Sequence, residues 1–255
     1  MLSTSFVAGS PNWADLGTPD TAASTAFYSG LFDWEPFSAG PEAGGYGFFL
    51  LDGKQVAAYG PLGDDGGAPA WTIYFATADA DATAKAVEQA GGTVRLAPCD
   101  VMTAGRMAQF TDPTGADFAL WQPGDTTGLE AVNTPGTLCW VELHTSDEAA
   151  ARAFYEPVLG WSYREFPMGP DASYWVTTTG SEAESFGGIL QSPEPTRPWL
   201  PYIEVADCDA SVAKAVGLGA TLLHPAATAP GIGRMAALAD PHGARFSVIT
   251  SERPS

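Results

Sequence analysis

The sequence is poor in basic residues, cysteine and histidine, and these shortages exclude several classes of function. Its 255 residues contain 11 Lys and Arg against 30 Asp and Glu, which gives a formal net charge of −19. Because this charge repels phosphate groups and no basic stretch offsets it, we expect neither nucleic acid nor an anionic membrane as a partner. The three cysteines, Cys99, Cys139 and Cys208, include no CxxC pair. They indicate neither a disulfide framework nor a zinc site.

Long hydrophobic runs are also missing. No segment reaches the roughly 18 apolar residues that a membrane-spanning helix needs. The first residues lack a basic region followed by a long apolar run, the pattern typical of a secretory signal. We therefore expect a cytoplasmic protein. The length and the hydrophobic content of 45% are sufficient for two domains that each bury a core.

An internal repeat is the strongest feature of the sequence. Trp13-Ala14-Asp15-Leu16 returns 127 positions later as Trp140-Val141-Glu142-Leu143. Further on, Gly105-Arg106-Met107 returns 128 positions later as Gly233-Arg234-Met235. Order and spacing both hold, so the sequence predicts a tandem duplication. We predict one domain over residues 1–125 and a second over 126–255, joined by a Gly-, Thr- and Pro-rich linker near Pro123–Pro135.

Hydrophobic periodicity within each half predicts two modules of the form βαβββ, or four in the chain. The first helix is predicted to use Thr18 as its N-cap and to bury Ala23, Phe27 and Leu31. The second helix is predicted to begin at Asp79 and to bury Ala82, Ala86 and Val87. The fold class is therefore α+β, made by duplication of a domain that contains two βαβββ modules.

At these residues the sequence resembles the vicinal oxygen chelate superfamily, which includes glyoxalases, extradiol dioxygenases and bleomycin-resistance proteins. The resemblance rests on Ala26-Phe27-Tyr28, Leu31-Phe32-Asp33-Trp34 and Gly105 through Ala116, and on their second copies, which end in Asp240-Pro241-His242-Gly243-Ala244. More narrowly, the chain is similar to a two-domain actinobacterial group that carries glyoxalase-like and hydroxylase labels. The resemblance implies two cup-shaped mixed sheets with the helices outside.

In metal-dependent relatives, the first and last strands of paired modules carry His, Glu or Gln as metal ligands. The positions that the resemblance implies are occupied here by Trp13, Thr72, Ala119, Trp140, Leu200 and Ser247. These residues cannot complete a site of imidazole and carboxylate ligands for Zn, Ni, Fe or Mn. We therefore expect no metal and no other cofactor.

Aromatic residues take the place of those ligands. Strand alternation turns Trp13 and Asp15 toward the cup and Ala14 and Leu16 toward the helices, and the family register turns Thr72 and Tyr74 inward. The predicted ligand-binding residues are Trp13, Asp15, Thr72, Tyr74, Trp121, Trp140, Glu142, His144, Tyr202 and Glu204. Flat apolar faces beside a carboxylate favour a planar, hydrophobic aromatic ligand.

These residues lead to a hypothesis of metal-free binding or sequestration of a small aromatic metabolite or drug, as in bleomycin resistance. The alternative is a metal-independent, glyoxalase-like or hydroxylase-labelled enzyme in which Asp15 or Glu142 acts as general base, with Tyr74 or Tyr202 as acid. An interaction protein has no positive support in the sequence. We expect a monomer with pseudo-twofold symmetry, since the fused copy can supply the contacts that single-domain relatives obtain by dimerising.

Structural alternatives remain open for several of these residues. Trp34, Trp161, Phe27 and Tyr28 are interpreted as core residues and are excluded from the site. Trp13 and Trp140 can also be plugs of a small cup, and Asp15 and Glu142 can be ion-pair partners of Arg106 and Arg234. In a shifted register, His144, Glu142 and Glu204 would form a site with one histidine and two carboxylates.

Overall fold

The computed structural model describes residues 2–63, 67–169, 172–181, 184–193 and 199–252. Within these ranges the chain forms four consecutive modules, each with one strand, one α-helix and three further strands, and the first module also has a 3₁₀ helix at Pro41–Ala43. The first is β1 (Pro11–Thr18), α1 (Thr21–Phe32), β2 (Glu35–Ser38), β3 (Gly47–Leu51) and β4 (Lys54–Pro61). The second is β5 (Ala70–Ala76), α2 (Ala80–Gln89), β6 (Thr93–Val101), β7 (Gly105–Thr111) and β8 (Asp117–Pro123).

The second half repeats this order of elements. Its first module is β9 (Leu138–Thr145), α3 (Glu148–Leu159), β10 (Ser162–Gly169), β11 (Ala172–Thr178) and β12 (Ser185–Gln191). Its second module is β13 (Leu200–Glu204), α4 (Cys208–Gly217), β14 (Thr221–Ala229), β15 (Gly233–Ala239) and β16 (Arg245–Ser251). The predicted α+β fold with four βαβββ modules is confirmed.

Each half forms one mixed eight-stranded sheet. The strand order is β2-β3-β4-β1-β5-β8-β7-β6 in the first sheet and β10-β11-β12-β9-β13-β16-β15-β14 in the second. The first and last strands of a module pair in parallel, as β1 does with β4 and β5 with β8. The hairpins between them are antiparallel. The two halves thus have the same strand order, as the sequence repeat predicts.

Each of the helices α1 to α4 follows an aspartate that caps its first turn. The side chains of Asp20, Asp79, Asp147 and Asp207 each accept a hydrogen bond from the backbone N–H three residues later. The prediction of Thr18 as N-cap is therefore wrong. Thr18 ends β1, and its hydroxyl lies 2.7 Å from the Ser24 hydroxyl.

The first turns of α1 and α2 also differ from the predicted inward positions. Phe27, Leu31 and Val87 are buried as predicted, whereas Ala23 and Ala82 are exposed. Their backbone N–H groups are the ones bound by the capping aspartates. The buried positions of these turns lie one or two residues further on, at Ser24 in α1 and at Ala84 in α2.

The chain divides into two compact units that each combine modules from different halves. The first unit is Met1–Trp13, Thr72–Gly128 and Trp140–Trp199. The second unit is Ala14–Trp71, Leu129–Cys139 and Leu200–Ser255. The first unit therefore contains the second and third modules, and the second unit contains the first and fourth.

A buried Trp–Tyr–Asp chain joins the modules of the second unit. The Trp71 indole N–H donates to the Tyr28 hydroxyl at 3.0 Å, and that hydroxyl donates to Asp240 Oδ2 at 3.2 Å. Burial raises the pKa of Tyr28 well above its usual value, and the Asp240 charge raises it further. Asp240 belongs to the Asp-Pro-X-Gly turn, so the repeated Phe-Tyr motif of the helix contacts a turn of the other half.

The first unit contains a similar arrangement. The Trp199 indole N–H donates to the Tyr155 hydroxyl at 3.0 Å. Burial and the charge of Asp112 raise the pKa of Tyr155. Trp34, Trp161, Phe27 and Tyr28 are all buried, as predicted.

Among the described residues, the helices are too short or too polar to pass through a lipid bilayer.

Candidate functional site

A hydrogen-bonded cluster around Glu142 lies on three neighbouring strands of the second sheet, β11, β12 and β9. The Trp140 indole N–H donates to the Tyr174 hydroxyl at 2.7 Å. Tyr174 in turn donates to Glu142 Oε1 at 2.8 Å, and Nε2 of His144 lies 2.8 Å from Glu142 Oε2. Trp140, Glu142 and His144 alternate along β9 and share one face. The structure thus brings together three of the predicted ligand-binding residues.

The two ends of the cluster differ in exposure, because the Glu142 carboxylate is buried and the His144 imidazole is partly exposed. The Glu142 residue is only 8% exposed, so its carboxylate depends on hydrogen-bond donors within the protein. Tyr174 binds one oxygen and His144 binds the other. The His144 side chain keeps 22% of its surface exposed. The imidazole is therefore accessible to solvent, and it is backed by a carboxylate that two donors hold in place.

Gly188 allows the Tyr174 ring to reach Glu142. It lies on β12 next to Glu142 in the parallel register of β12 and β9. A Cβ atom at this position would lie 2.1 Å from both Cζ and Oη of Tyr174. Because such a distance is far below van der Waals contact, any side chain at position 188 would displace the ring. The absence of a side chain there makes the hydrogen bond to Glu142 possible.

A related tyrosine–carboxylate pair occurs in the first half. The Tyr46 hydroxyl donates to Asp15 Oδ2 at 3.2 Å. A Cβ atom on Gly60 would lie 3.0 Å from Cδ2 of Tyr46, so this ring also passes close to a glycine of the fourth strand. The position that corresponds to His144 in the repeat is Gly17. The first half thus has a tyrosine and a carboxylate but no imidazole beside them.

The other predicted residues of the first half are largely buried. Trp13 and Tyr74 are buried, Thr72 is half-buried, and Tyr74 lies opposite Ala119 in the β5–β8 register. The Trp121 indole N–H donates to the backbone oxygen of Thr126 at 2.9 Å, which anchors the segment after β8. Ligand contact by these side chains stays a prediction.

Tyr202 and Glu204 lie on β13 and have partners of their own. Glu204 accepts hydrogen bonds from the backbone N–H of Ser251 at 3.1 Å and from its hydroxyl at 2.5 Å. The backbone oxygen of Tyr202 accepts from the Cys139 thiol at 3.3 Å. Burial raises the pKa of that thiol, and the nearby Glu204 carboxylate raises it further. The Glu204 carboxylate thus holds the end of β16.

The two repeated arginines do not pair with Asp15 and Glu142. Arg106 donates to Asp81 at 2.9 and 3.1 Å, and Arg234 donates to Asp209 at 2.7 and 2.8 Å. Both aspartates lie in the first turn of a helix that packs against the arginine's own strand. In each pair the guanidinium lowers the pKa of the carboxyl group. The alternative interpretation of the two site carboxylates as arginine partners is therefore wrong.

The side chains at the positions implied for a metal do not fit one. Those positions carry Trp13, Thr72, Ala119, Trp140, Leu200 and Ser247. Ala119 and Leu200 are buried apolar residues, and the two hydroxyls are neutral where transition metals favour imidazole, thiolate or carboxylate. In the part of the chain that the structure describes, no group of three His, Cys, Asp or Glu side chains is placed to hold a metal.

The shifted-register alternative groups His144 and Glu142 with Glu204. His144 and Glu142 are in contact, and Glu204 is bound to Ser251. The described residues contain no set of three such side chains that could hold a metal, which speaks against this alternative.

Sequence reasoning missed Tyr46, Tyr174 and their glycines. The signal was present, because Tyr46 and Tyr174 are 128 positions apart, as are Gly60 and Gly188. Neither tyrosine lies on the first or last strand of a module, where the predicted ligand-binding residues lie. The Tyr46 ring approaches Asp15 past Gly60 on β4, and the Tyr174 ring approaches Glu142 past Gly188 on β12.

Both halves match known sequence families. Residues 10–120 match the Glyoxalase/Bleomycin resistance protein/Dioxygenase superfamily, and residues 140–249 match the Glyoxalase-like domain family. The anthracycline biosynthesis protein DnrV of Streptomyces peucetius is 44% identical over 263 residues, which cover 96% of this chain and 94% of that protein. CFP32 of Mycobacterium tuberculosis, provisionally named a glyoxylase, is 40% identical over 94% of each chain.

Solved structures with low sequence identity share the fold. A 2,2',3-trihydroxybiphenyl 1,2-dioxygenase from Sphingomonas wittichii superposes with a TM-score of 0.68 at 15% identity, covering 96% of this chain and 91% of that one. A Mn(II)-bound glyoxalase from Novosphingobium aromaticivorans superposes with a TM-score of 0.66 at 16% identity, covering 95% and 82%. At these identities the likeness concerns the fold alone.

Proposed function

Because the chain belongs to the glyoxalase/bleomycin resistance protein/dioxygenase superfamily, we propose that it binds a small planar aromatic metabolite or drug without a metal. The observation that carries this proposal is the cluster on β9, where the Trp140 indole, the Tyr174 hydroxyl and the Glu142 carboxylate form one hydrogen-bonded series. An indole face suits an aromatic ring, and the buried carboxylate with its donors suits a polar edge of the same molecule.

The lack of metal-ligating side chains at the positions that the resemblance implies supports the same proposal. Trp13 and Trp140 occupy positions at which the superfamily resemblance implies metal ligands. A large aromatic side chain at each position would take up the volume of a coordinated ion. Trp140 keeps part of its surface exposed, whereas Trp13 is buried. Binding by stacking and hydrogen bonding then replaces binding by coordination.

The relatives bear on the class of ligand. Anthracycline biosynthesis proteins are 44% identical to this chain over nearly its whole length. Anthracyclines contain a planar, hydroxylated quinone ring system, which has both the aromatic face and the polar edge that the cluster would recognise. We therefore propose a hydroxylated polycyclic aromatic compound as the ligand class.

Quenching of tryptophan fluorescence by the anthracycline daunorubicin tests the proposal. We expect saturable quenching, and we expect Trp140→Ala to weaken the affinity several-fold, since loss of stacking costs about 1 kcal/mol. Trp13→Ala tests the corresponding residue of the first half in the same way. Trp34→Phe, a substitution in the core, is the control for a general loss of packing. If Trp13→Ala and Trp140→Ala bind normally but unfold at much lower temperature, both residues are plugs of the core and the proposed site is wrong.

A second candidate function is metal-independent acid–base catalysis on the same ligand class, with Asp15 or Glu142 as general base. The close contact of Glu142 with both Tyr174 and His144 favours it, because proton transfer needs groups within hydrogen-bond reach. Glu142→Gln separates the two functions. Under sequestration the ligand is recovered unchanged from the wild-type protein, whereas under catalysis the wild type alters the ligand and the variant binds it without turnover.

A further inference from the structure

The contacts of His144 bear on which of its ring nitrogens can accept a proton. The Glu142 carboxylate accepts at Oε1 from the Tyr174 hydroxyl, which leaves Oε2 to accept from Nε2 of His144. When the carboxylate is ionised, a neutral His144 therefore carries its hydrogen on Nε2 and its lone pair on Nδ1. Nδ1 has no hydrogen-bond partner among residues 2–63, 67–169, 172–181, 184–193 and 199–252, and the side chain is 22% exposed.

We propose that His144 takes the proton of an acidic hydroxyl group on the bound aromatic ligand, and that Glu142 is the positioning residue for this transfer. This inference rests on the proposed function and names the ligand more narrowly, as a hydroxyquinone or a comparably acidic phenol. The ligand O–H bond breaks and a bond from the proton to Nδ1 forms. The products are an aryloxide and an imidazolium, and no oxidant or other reactant takes part.

The surroundings of His144 suit this transfer. The Glu142 carboxylate lies 2.8 Å from Nε2, and the total charge of the site does not change because the proton only moves from ligand to ring. Tyr174 fixes the other carboxylate oxygen, and Gly188 leaves room for the tyrosine ring. All of these residues belong to the first compact unit.

The two halves should differ in this property. In the first half Asp15 accepts from Tyr46, but the position that corresponds to His144 is Gly17. Transfer of the proton to an imidazole nitrogen is therefore expected at the second half only.

The visible spectrum of bound alizarin, 1,2-dihydroxyanthraquinone, tests the proposal, because this dye absorbs at longer wavelength when it ionises. The buffer is set at a pH at which the free dye is still mostly neutral and an ordinary imidazole, with a pKa of about 6.5, is still partly neutral. We expect the wild type and His224→Gln, a matched control at an exposed histidine outside the cluster, to bind the dye and show the long-wavelength band. His144→Gln should bind within about tenfold, because the glutamine amide can still donate to Glu142, but should show only the neutral dye spectrum.

Each outcome has a separate meaning. Binding with a neutral spectrum in the wild type overturns the inference and leaves the proposed function intact. A long-wavelength band that persists in His144→Gln also overturns the inference. Absence of alizarin binding to the wild type counts against both the inference and the proposed function.

The tautomer of His144 provides a test without ligand. Nitrogen-15 NMR of the unliganded protein should show the His144 ring, when neutral, protonated at Nε2 and unprotonated at Nδ1. Glu142→Gln should remove this preference, whereas His224→Gln, at an exposed histidine outside the cluster, should leave it unchanged. A wild-type ring with its hydrogen on Nδ1 would falsify the inference, because the proposed acceptor atom would then have no lone pair to offer.

Discussion

Removal of one buried hydroxyl should destabilise the protein far more than an ordinary Tyr→Phe substitution. In Tyr28→Phe, the Trp71 indole N–H loses its acceptor at 3.0 Å and Asp240 loses a donor at 3.2 Å. Both aromatic residues are almost completely buried, so water cannot replace the lost partner. The ring itself stays, which limits the change to hydrogen bonding.

The size of the stability loss depends on the Trp71 indole and the Asp240 carboxylate, which both lose a hydrogen-bond partner. A buried donor without a partner costs roughly 1–3 kcal/mol, and a lost hydrogen bond to a carboxylate costs a comparable amount. These terms share one hydroxyl and do not add fully, so we expect a loss of about 2–4 kcal/mol in the free energy of unfolding. For a protein of this size that corresponds to a fall of about 5–15 °C in the melting temperature.

Differential scanning calorimetry and urea denaturation measure this loss. Tyr155→Phe removes the corresponding hydroxyl of the first unit and should behave similarly, since Trp199 donates to it at 3.0 Å. The double variant Trp71→Phe with Tyr28→Phe should lose less stability than the sum of the two single variants, because both substitutions remove the same indole–hydroxyl hydrogen bond. A melting temperature that changes by less than about 1 °C in both single variants would refute the hydrogen-bond argument.

Three further results are expected. Gly188→Ala should keep the fold but weaken daunorubicin binding, because the new Cβ displaces the Tyr174 ring; unchanged affinity in a fluorescence titration would contradict the geometry. Burial raises the pKa of the Cys139 thiol, so iodoacetamide should leave it unmodified in the native protein and alkylate it in urea, as mass spectrometry can verify. Arg106 lowers the pKa of Asp81, so this pair stabilises the protein above the aspartate's unfolded pKa of about 3.9 and loses that contribution as the pH falls through the lower folded value. Arg106→Met should therefore lower the melting temperature at pH 7 and have little effect near pH 2, and an equal effect at both values would disprove the linkage.

Local sequence patterns predicted much of the fold. The repeat predicted the duplication, and hydrophobic periodicity predicted the order of elements in each module. The N-cap of α1 was misplaced because Thr18 and Asp20 are both good capping residues, and only the backbone shows that the strand continues through Thr18. Alternation along β9 correctly placed Trp140 and Glu142 on one face.

The candidate site was less predictable. Trp140, Glu142 and His144 share a strand, so period-two alternation could group them. Tyr174 is more than 30 residues away in sequence, and its contact with Glu142 depends on the register of β11, β12 and β9. No local pattern shows that its ring crosses a strand at Gly188.

Composition and spacing along the chain are sufficient to predict the duplication, the four modules and the residues at the implied metal positions. Which modules share a compact unit, and which donors bind Glu142, became evident only in the folded chain. Strand pairing and side-chain burial join residues that are far apart in sequence. The energy of such a contact depends on the packing around both residues, whereas a local sequence pattern describes the surroundings of only one of them.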